Sequence, residues 1–255
     1  MWKNLRILIL LLILAPLVLL FRSDREHSAD WDRTQRVAVY PYSVADDEAV
    51  SRFIASLEQS DMDAISDYFS AQARRYHLPQ GRPFELILAE PIHQAPPTPP
   101  AVGQTLARLR WAVGLRWWRW RFDRQGLEPD IIAIARFNTV TEIPPSLHSI
   151  GIAELRLAVA NLPAVDTHRG YNQVLLAHEI LHTVGASDLY HPATGLPVFP
   201  AGYAEPELDP RYPQELAELM AGRIPVQPGR ATQAMDLAQT RIGPRTAREI
   251  GWLRD

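Results

Sequence analysis

The chain has 255 residues, 47% of them hydrophobic and 22% charged, which suffices for one core and argues against wholesale disorder. Its 26 basic and 29 acidic side chains leave a net charge of -3, so no nucleic-acid partner is expected. There is no cysteine, which excludes disulfides, thiolate catalysis and cysteine-based zinc sites; any metal must rest on histidine and carboxylate groups.

The chain opens M-W-K-N-L-R, followed by an apolar run over residues 7–21 that only Pro16 interrupts. Such a run is a signal peptide or a membrane anchor. No small-x-small cleavage site follows Phe21, whose successors are Arg22, Ser23, Asp24 and Arg25. An uncleaved transmembrane anchor is therefore expected over residues 1–22, with a polar juxtamembrane spacer over residues 23–35. Lys3 and Arg6 on one flank are opposed by Arg22 and Arg25 on the other, so charge alone does not set the orientation. The working expectation is a membrane-anchored domain on the extracytoplasmic side, or a secreted one if the leader is cleaved.

Residues 36–255 are expected to form one domain. Residues 36–40 alternate and read as a strand stopped by Pro41. Residues 45–59 and 64–78 read as helices whose apolar positions (Val50, Phe53, Ile54, Leu57, then Ile65, Tyr68, Phe69) recur at helical spacing. Residues 83–89 form a second strand candidate. The proline-rich stretch 94–101 must be extended, and His93 beside it is expected to be incidental. Residues 103–123 carry two helical stripes: Leu106, Leu109, Val113, Trp117 and Trp120, and beside them Trp111, Leu115, Trp118 and Phe122. Arg108, Arg110, Arg116, Arg119 and Arg121 lie among them. The plain expectation is a helix packed on a sheet through a wide face with its arginines snorkelling outward; the alternative is contact with an anionic membrane surface. Residues 130–137 read as a buried strand, and residues 150–160, containing L-R-L-A-V-A, as another. His168 falls in the loop that follows, and is expected to face solvent.

The chemistry is concentrated in residues 174–188, V-L-L-A-H-E-I-L-H-T-V-G-A-S-D. No proline or glycine interrupts residues 172–184, so the segment should be helical. Residues four apart share a helix face, so His178 and His182 point to one spot, with Glu179 at its rim. Two neutral imidazoles with a carboxylate beside them suit a catalytic zinc and a base for its water. A bare H-E-x-x-H arises by accident in roughly one chain in a hundred of this length. Gly185 can end the helix in a left-handed turn, and Asp188 then arrives where it can supply a third ligand. Requiring that glycine and that aspartate makes an accident about a hundred-fold rarer.

Through His178, Glu179, His182, Gly185 and Asp188 the chain resembles the metzincin clan of zinc peptidases, H-E-x-x-H-x-x-G-x-x-H/D, in the less common variant with Asp as third ligand that is similar to snapalysin-type proteases. The resemblance covers roughly residues 151–252. It implies an α/β (α+β) domain with a mixed twisted sheet, an active-site helix and a C-terminal helical subdomain. It implies Zn²⁺ held by His178, His182 and Asp188, Glu179 as the catalytic base, and a peptide or protein substrate. It also implies that the strand before the active helix is the sheet's edge along the cleft, against which an extended peptide can pair, and that a methionine turn lies under the histidines. Residues 213–220 read as a helix ending in Met220-Ala221-Gly222, which favours Met220 for that turn; Met235 is the competitor.

Residues 189–208, rich in Pro, Gly and Tyr, are expected to be an ordered loop or lid. His191 is the rival third ligand, and Glu205, Glu207, Glu215 or Glu218 would serve on the gluzincin plan. Tyr190 and Tyr203 are candidate oxyanion donors, with packing against proline the plainer role. Residues 243–252 read as a capped C-terminal helix. The alternative to an enzyme is a non-catalytic, zinc-stabilised binding module on a membrane anchor, from which an uncoordinated Glu179 would be superfluous.

Overall fold

Strand β1 (Gln35–Ser43) sits near the centre of a five-stranded sheet ordered β2-β1-β3-β5-β4, with β2 (Phe84–Leu88), β3 (Ile131–Asn138), β4 (Ile150–Ile152) and β5 (Leu157–Pro163). The computed structural model describes residues 30–45, 47–100, 104–139 and 149–253. The expected anchor over residues 1–22 lies outside them, and among the described residues no helix is long and apolar enough to cross a membrane. β2, β1, β3 and β5 run parallel; β4 turns back antiparallel on β5, with Gly151 opposite Ala158. The sheet is thus mixed, and among the described residues five α-helices accompany it: α1 (Glu48–Ala55), α2 (Gln59–Arg75), α3 (Thr105–Arg121), α4 (Arg169–His182) and α5 (Pro244–Glu249).

The central strands are apolar on both faces because both faces are covered. Val37, Val39, Ile131, Ala133, Ala135, Ala158 and Ala160 meet α1, α2 and α4 in the larger core, while Ala38, Tyr40, Ile132, Ile134, Leu157 and Val159 meet α3. Asp47 caps α1 by accepting from Ala49 N (2.7 Å) and Val50 N (3.1 Å), and a reciprocal Glu58–Asp61 box starts α2. That box opens α2 at Gln59, five residues before the apolar pattern suggests. Trp31 ties the start of the domain to its end: its indole donates to Ile250 O at 2.6 Å and meets the Trp252 and Phe84 rings edge-on.

Four expectations need correction. β1 runs through Pro41 to Ser43. The Pro41 carbonyl accepts from Ile92 N, so the missing N–H faces the β2 side, where the ladder has already ended at Val39. The stretch 150–160 is two strands separated by a 3₁₀ turn, with Arg156 left-handed (φ 47°) at the reversal. The L-R-L-A-V-A strand is consequently interior, and of this stretch the short β4 alone lies at an edge of the sheet. Residues 213–220 are not a helix; Ala217–Glu218 (β6) pairs with Thr240–Arg241 (β9), and Ala217, Glu218, Leu219 and Met220 are all fully buried. Burial on every side, and not on one stripe, overrides the helix propensity of this Glu- and Leu-rich stretch. Nor is the C-terminal part a helical subdomain: beyond β6 and β9 it holds the hairpin β7 (Arg223–Gln227) and β8 (Arg230–Gln233), with α5 its single α-helix and one 3₁₀ turn at Leu237–Gln239 among the described residues.

Candidate metal centre

Helix α4 crosses the sheet with Ala177, Ile180 and Leu181 fully buried, which fixes the rotation that brings His178, Glu179 and His182 together. It ends in a Schellman turn: Ala186 N donates to Leu181 O at 3.1 Å and Gly185 N to His182 O at 3.2 Å. Gly185 has φ 102°, a left-handed conformation costly to any residue with a Cβ. Ser187 N then donates to Glu249 Oε2 on α5 at 2.9 Å, so the returning chain is held from outside as well.

This turn orients one imidazole, and a second turn, at residues 218–222, orients the other. His182 Nδ1 lies 2.8 Å from Ala186 O, and His178 Nδ1 lies 3.1 Å from Leu219 O. A carbonyl only accepts, so each Nδ1 carries a proton, and each ring in its neutral form presents its Nε2 lone pair. The two Nε2 atoms are 3.1 Å apart, and Asp188 Oδ1 lies 3.1 Å from one and 3.2 Å from the other. Three potential ligand atoms thus converge, and the negative charge they concentrate is balanced by a proton on His178 Nε2 or by a metal cation in its place. Ligand atoms about 2.1 Å from a tetrahedral metal are about 3.4 Å from one another, close to the spacing found.

His178, Glu179 and His182 form a group close enough to hold a metal ion. Glu179 is buried, and its Oε2 has no hydrogen-bond partner among the described residues. Burial pushes its carboxyl above the usual range, against the pull of the two histidines. Burial also works against charge on His178, but the bond to Asp188 and the nearby Glu179 outweigh it and push the imidazole up to about 9. Asp188, although burial opposes its ionisation, is held well below the usual carboxylate range by its bonds to His178 and His182.

Beneath the histidines, residues 218–222 make a tight turn closed by Gly222 N and Ala221 N on Glu218 O, with Gly222 at φ 68°. The Glu218 carboxylate pins it, accepting from Met220 N (2.6 Å), Thr246 Oγ1 (2.7 Å) and Gly243 N (3.0 Å). Burial raises this carboxyl to about 6 despite those donors. Glu218 is therefore occupied in holding the turn and is not placed as a ligand. Met220 is fully buried in that turn, next to the carbonyl that orients His178, whereas Met235 is 41% exposed.

The other candidates separate clearly. His191 is exposed, its backbone engaged in a turn with Leu196 and Gly195. Glu205 faces Arg241 at 3.6 Å. Tyr203 bonds Tyr212 at 2.8 Å and packs on Phe199, away from the histidines. Tyr190 does line the cleft with His178, Glu179, Tyr171, Gly222 and Arg223. Burial, with Asp188 adding to it, pushes its hydroxyl up to about 12, so it stays a proton donor.

Sequence reasoning missed Gly151. A Cβ there would lie 2.3 Å from His182 Cβ and 2.6 Å from Glu179 O, so the edge strand touches the backbone of the H-E-x-x-H helix only because residue 151 has no side chain. The carbonyls of Ala186 and Leu219 were equally invisible, since any residue type supplies one. A glycine in a β-branched stretch was the available signal for the first; the second had none.

No family model and no curated protein matches the chain. Among solved structures, that of wild-type OgpA from Akkermansia muciniphila is similar at 13% identity and a TM-score of 0.43, over 88% of this chain and 62% of that one. The chain thus spans less than two thirds of the length of that neighbour.

Proposed function

We propose that the protein is a zinc-dependent endopeptidase of metzincin type, with His178, His182 and Asp188 as the metal's protein ligands and Glu179 as general base. The observation that carries this reading is the convergence of two Nε2 atoms and Asp188 Oδ1 at 3.1–3.2 Å beside the partnerless, buried Glu179 Oε2. Asp188 is preferred to Glu179 as third ligand because its Oδ1 is already in contact with both Nε2 atoms. Imidazole and carboxylate donors in a tetrahedral arrangement suit zinc. Zinc bound there supplies Lewis acidity toward the scissile carbonyl and makes a water molecule more acidic.

The chain's own residues do the rest. Glu179 takes a proton from the water that attacks the peptide carbonyl and hands it to the amine as the C–N bond breaks. Tyr190, which lines the same cleft, would donate to the carbonyl oxygen as charge develops there. Substrate in extended form pairs with the outer edge of β4, which has no strand partner among the described residues and runs beside α4. Met220 in its turn corresponds to the methionine that underlies the histidines in this clan. A closed structural zinc site would leave Glu179 buried to no purpose, which weighs against the binding-module alternative. An anchor over residues 1–22 would hold the domain at the extracytoplasmic face of a membrane.

Glu179→Gln is the test. The variant should fold, keep stoichiometric zinc, and lose peptidase activity on a mixed peptide library by roughly 10²–10⁴-fold. Equal activity in the two proteins would overturn the mechanism. Tight zinc with no cleavage by the unaltered protein would leave the binding module as the function.

A further inference from the structure

Helix α3 leaves one of its two apolar stripes in solvent. Trp111, Leu115, Trp118 and Phe122 pack on the sheet, but Leu106 is 80% exposed, Val113 62%, Trp117 57% and Trp120 78%. The helix holds five arginines and no acidic residue, in a chain whose net charge is -3. Arg119 turns inward and donates to Leu155 O at 3.3 Å, while Arg108, Arg110, Arg116 and Arg121 are exposed, the last with its guanidinium 4.7 Å from the Trp117 ring centroid. Large apolar side chains in water cost free energy unless something covers them, and this cover must tolerate a concentrated positive charge.

We propose that this face of α3 lies on an anionic lipid bilayer, with Leu106, Val113, Trp117 and Trp120 entering the headgroup region and the arginines meeting lipid phosphates. Tryptophan and arginine interleaved with aliphatic side chains match the boundary between headgroups and acyl chains, where an indole is wet at one end and apolar at the other. Anionic headgroups supply the complementary charge. A second feature independently points to a bilayer as the occupant: the apolar run at residues 7–21 of the sequence. The first described residue, Asp30, is near the end of the sheet to which the last turn of α3 also points, as the Arg33–Asp130 pair and the Arg119–Leu155 bond show. The eight residues 22–29 span at most roughly 28 Å when extended, so a run held in a bilayer keeps α3 within reach of the same surface. Since α3 and α4 cover opposite faces of the sheet, this orientation leaves the metal centre on the side away from the lipid. The proposal stands whether or not that centre is a peptidase site.

Because the chain has no cysteine, single labels report cleanly. The full chain carrying a fluorophore at Val113→Cys, or at Ala64→Cys on the exposed side of α2, is reconstituted in vesicles of phosphatidylcholine with or without phosphatidylglycerol. Brominated acyl chains serve as the quencher within the lipid, iodide as the quencher in solution. The label at position 113 should be quenched from the lipid when phosphatidylglycerol is present and should lose that quenching with Arg110, Arg116 and Arg121 changed to Gln. The label at position 64 should respond to iodide alone. Iodide quenching without lipid quenching at position 113 would overturn the proposal. So would equal lipid quenching without phosphatidylglycerol, or concentration-dependent self-quenching at position 113 that lipid does not relieve, which would make the occupant a second copy of the chain.

Discussion

Helices α3 and α4 are both rich in apolar residues and lie on opposite faces of one sheet, yet they are used in opposite ways. α4 is surrounded: the sheet lies on one side, and β4 and the turn at residues 218–222 close over His178 and His182. Its two imidazoles are oriented by backbone carbonyls and have little freedom left. α3 touches the fold through one stripe only, and its second stripe with most of its arginines is free to meet something else. Burial on all sides makes a site rigid enough for chemistry; burial on one side leaves an adhesive surface.

Breaking the buried side should have the largest consequences. Asp188→Ala should weaken zinc binding by more than the roughly 10–100-fold typical of losing a supporting residue, with activity falling in step, whereas His191→Ala should leave the metal in place. Zinc content after dialysis distinguishes the two, and the reverse result would remove Asp188 from the ligand set. Within α3 itself, Leu115→Ala should cost about 2–5 kcal/mol in denaturant unfolding, since Leu115 is 2% exposed.

Gly151→Ala sharpens the contrast at the edge strand. The added methyl meets His182 Cβ and Glu179 O, and should cost about 1–3 kcal/mol while displacing the helix enough to reduce zinc affinity. A fully active, equally stable variant would mean that β4 does not press on α4. A smaller effect is expected from pH. In the metal-free protein the bonds to Asp188 keep His178 protonated up to about 9, so zinc must displace a proton at neutral pH. Affinity should therefore rise by up to about ten-fold per pH unit and level off above about 9, with a proton released to the buffer on binding. Affinity independent of pH from 6 to 9, the range implied by that raised value, would count against the Asp188–His178 pairing. The smallest effect belongs to Leu106→Ala on the exposed stripe of α3, which should change stability by no more than about 0.5 kcal/mol.

What could be read from the sequence alone was local. The 3.6-residue period places His178, Glu179 and His182 together on any helix, and Gly185 marks the reversal because no other residue adopts its conformation so cheaply. The helices around Val50, Ile65 and Trp111, and the strands at residues 36–40 and 130–137, follow from period and composition in the same way. Everything that depended on a partner distant in the chain was decided by packing. Pro41 continues a strand because its neighbour there has ended; residues 213–220 give up helix because every side is buried; Glu218 holds a turn because Gly243 and Thr246 arrive from another element. The carbonyls of Leu219 and Ala186 that orient the imidazoles carry no residue-specific signal at all. Which stripe of α3 faces the sheet was likewise undetermined, since both are apolar along the helix and only the third dimension distinguishes Leu115 from Leu106.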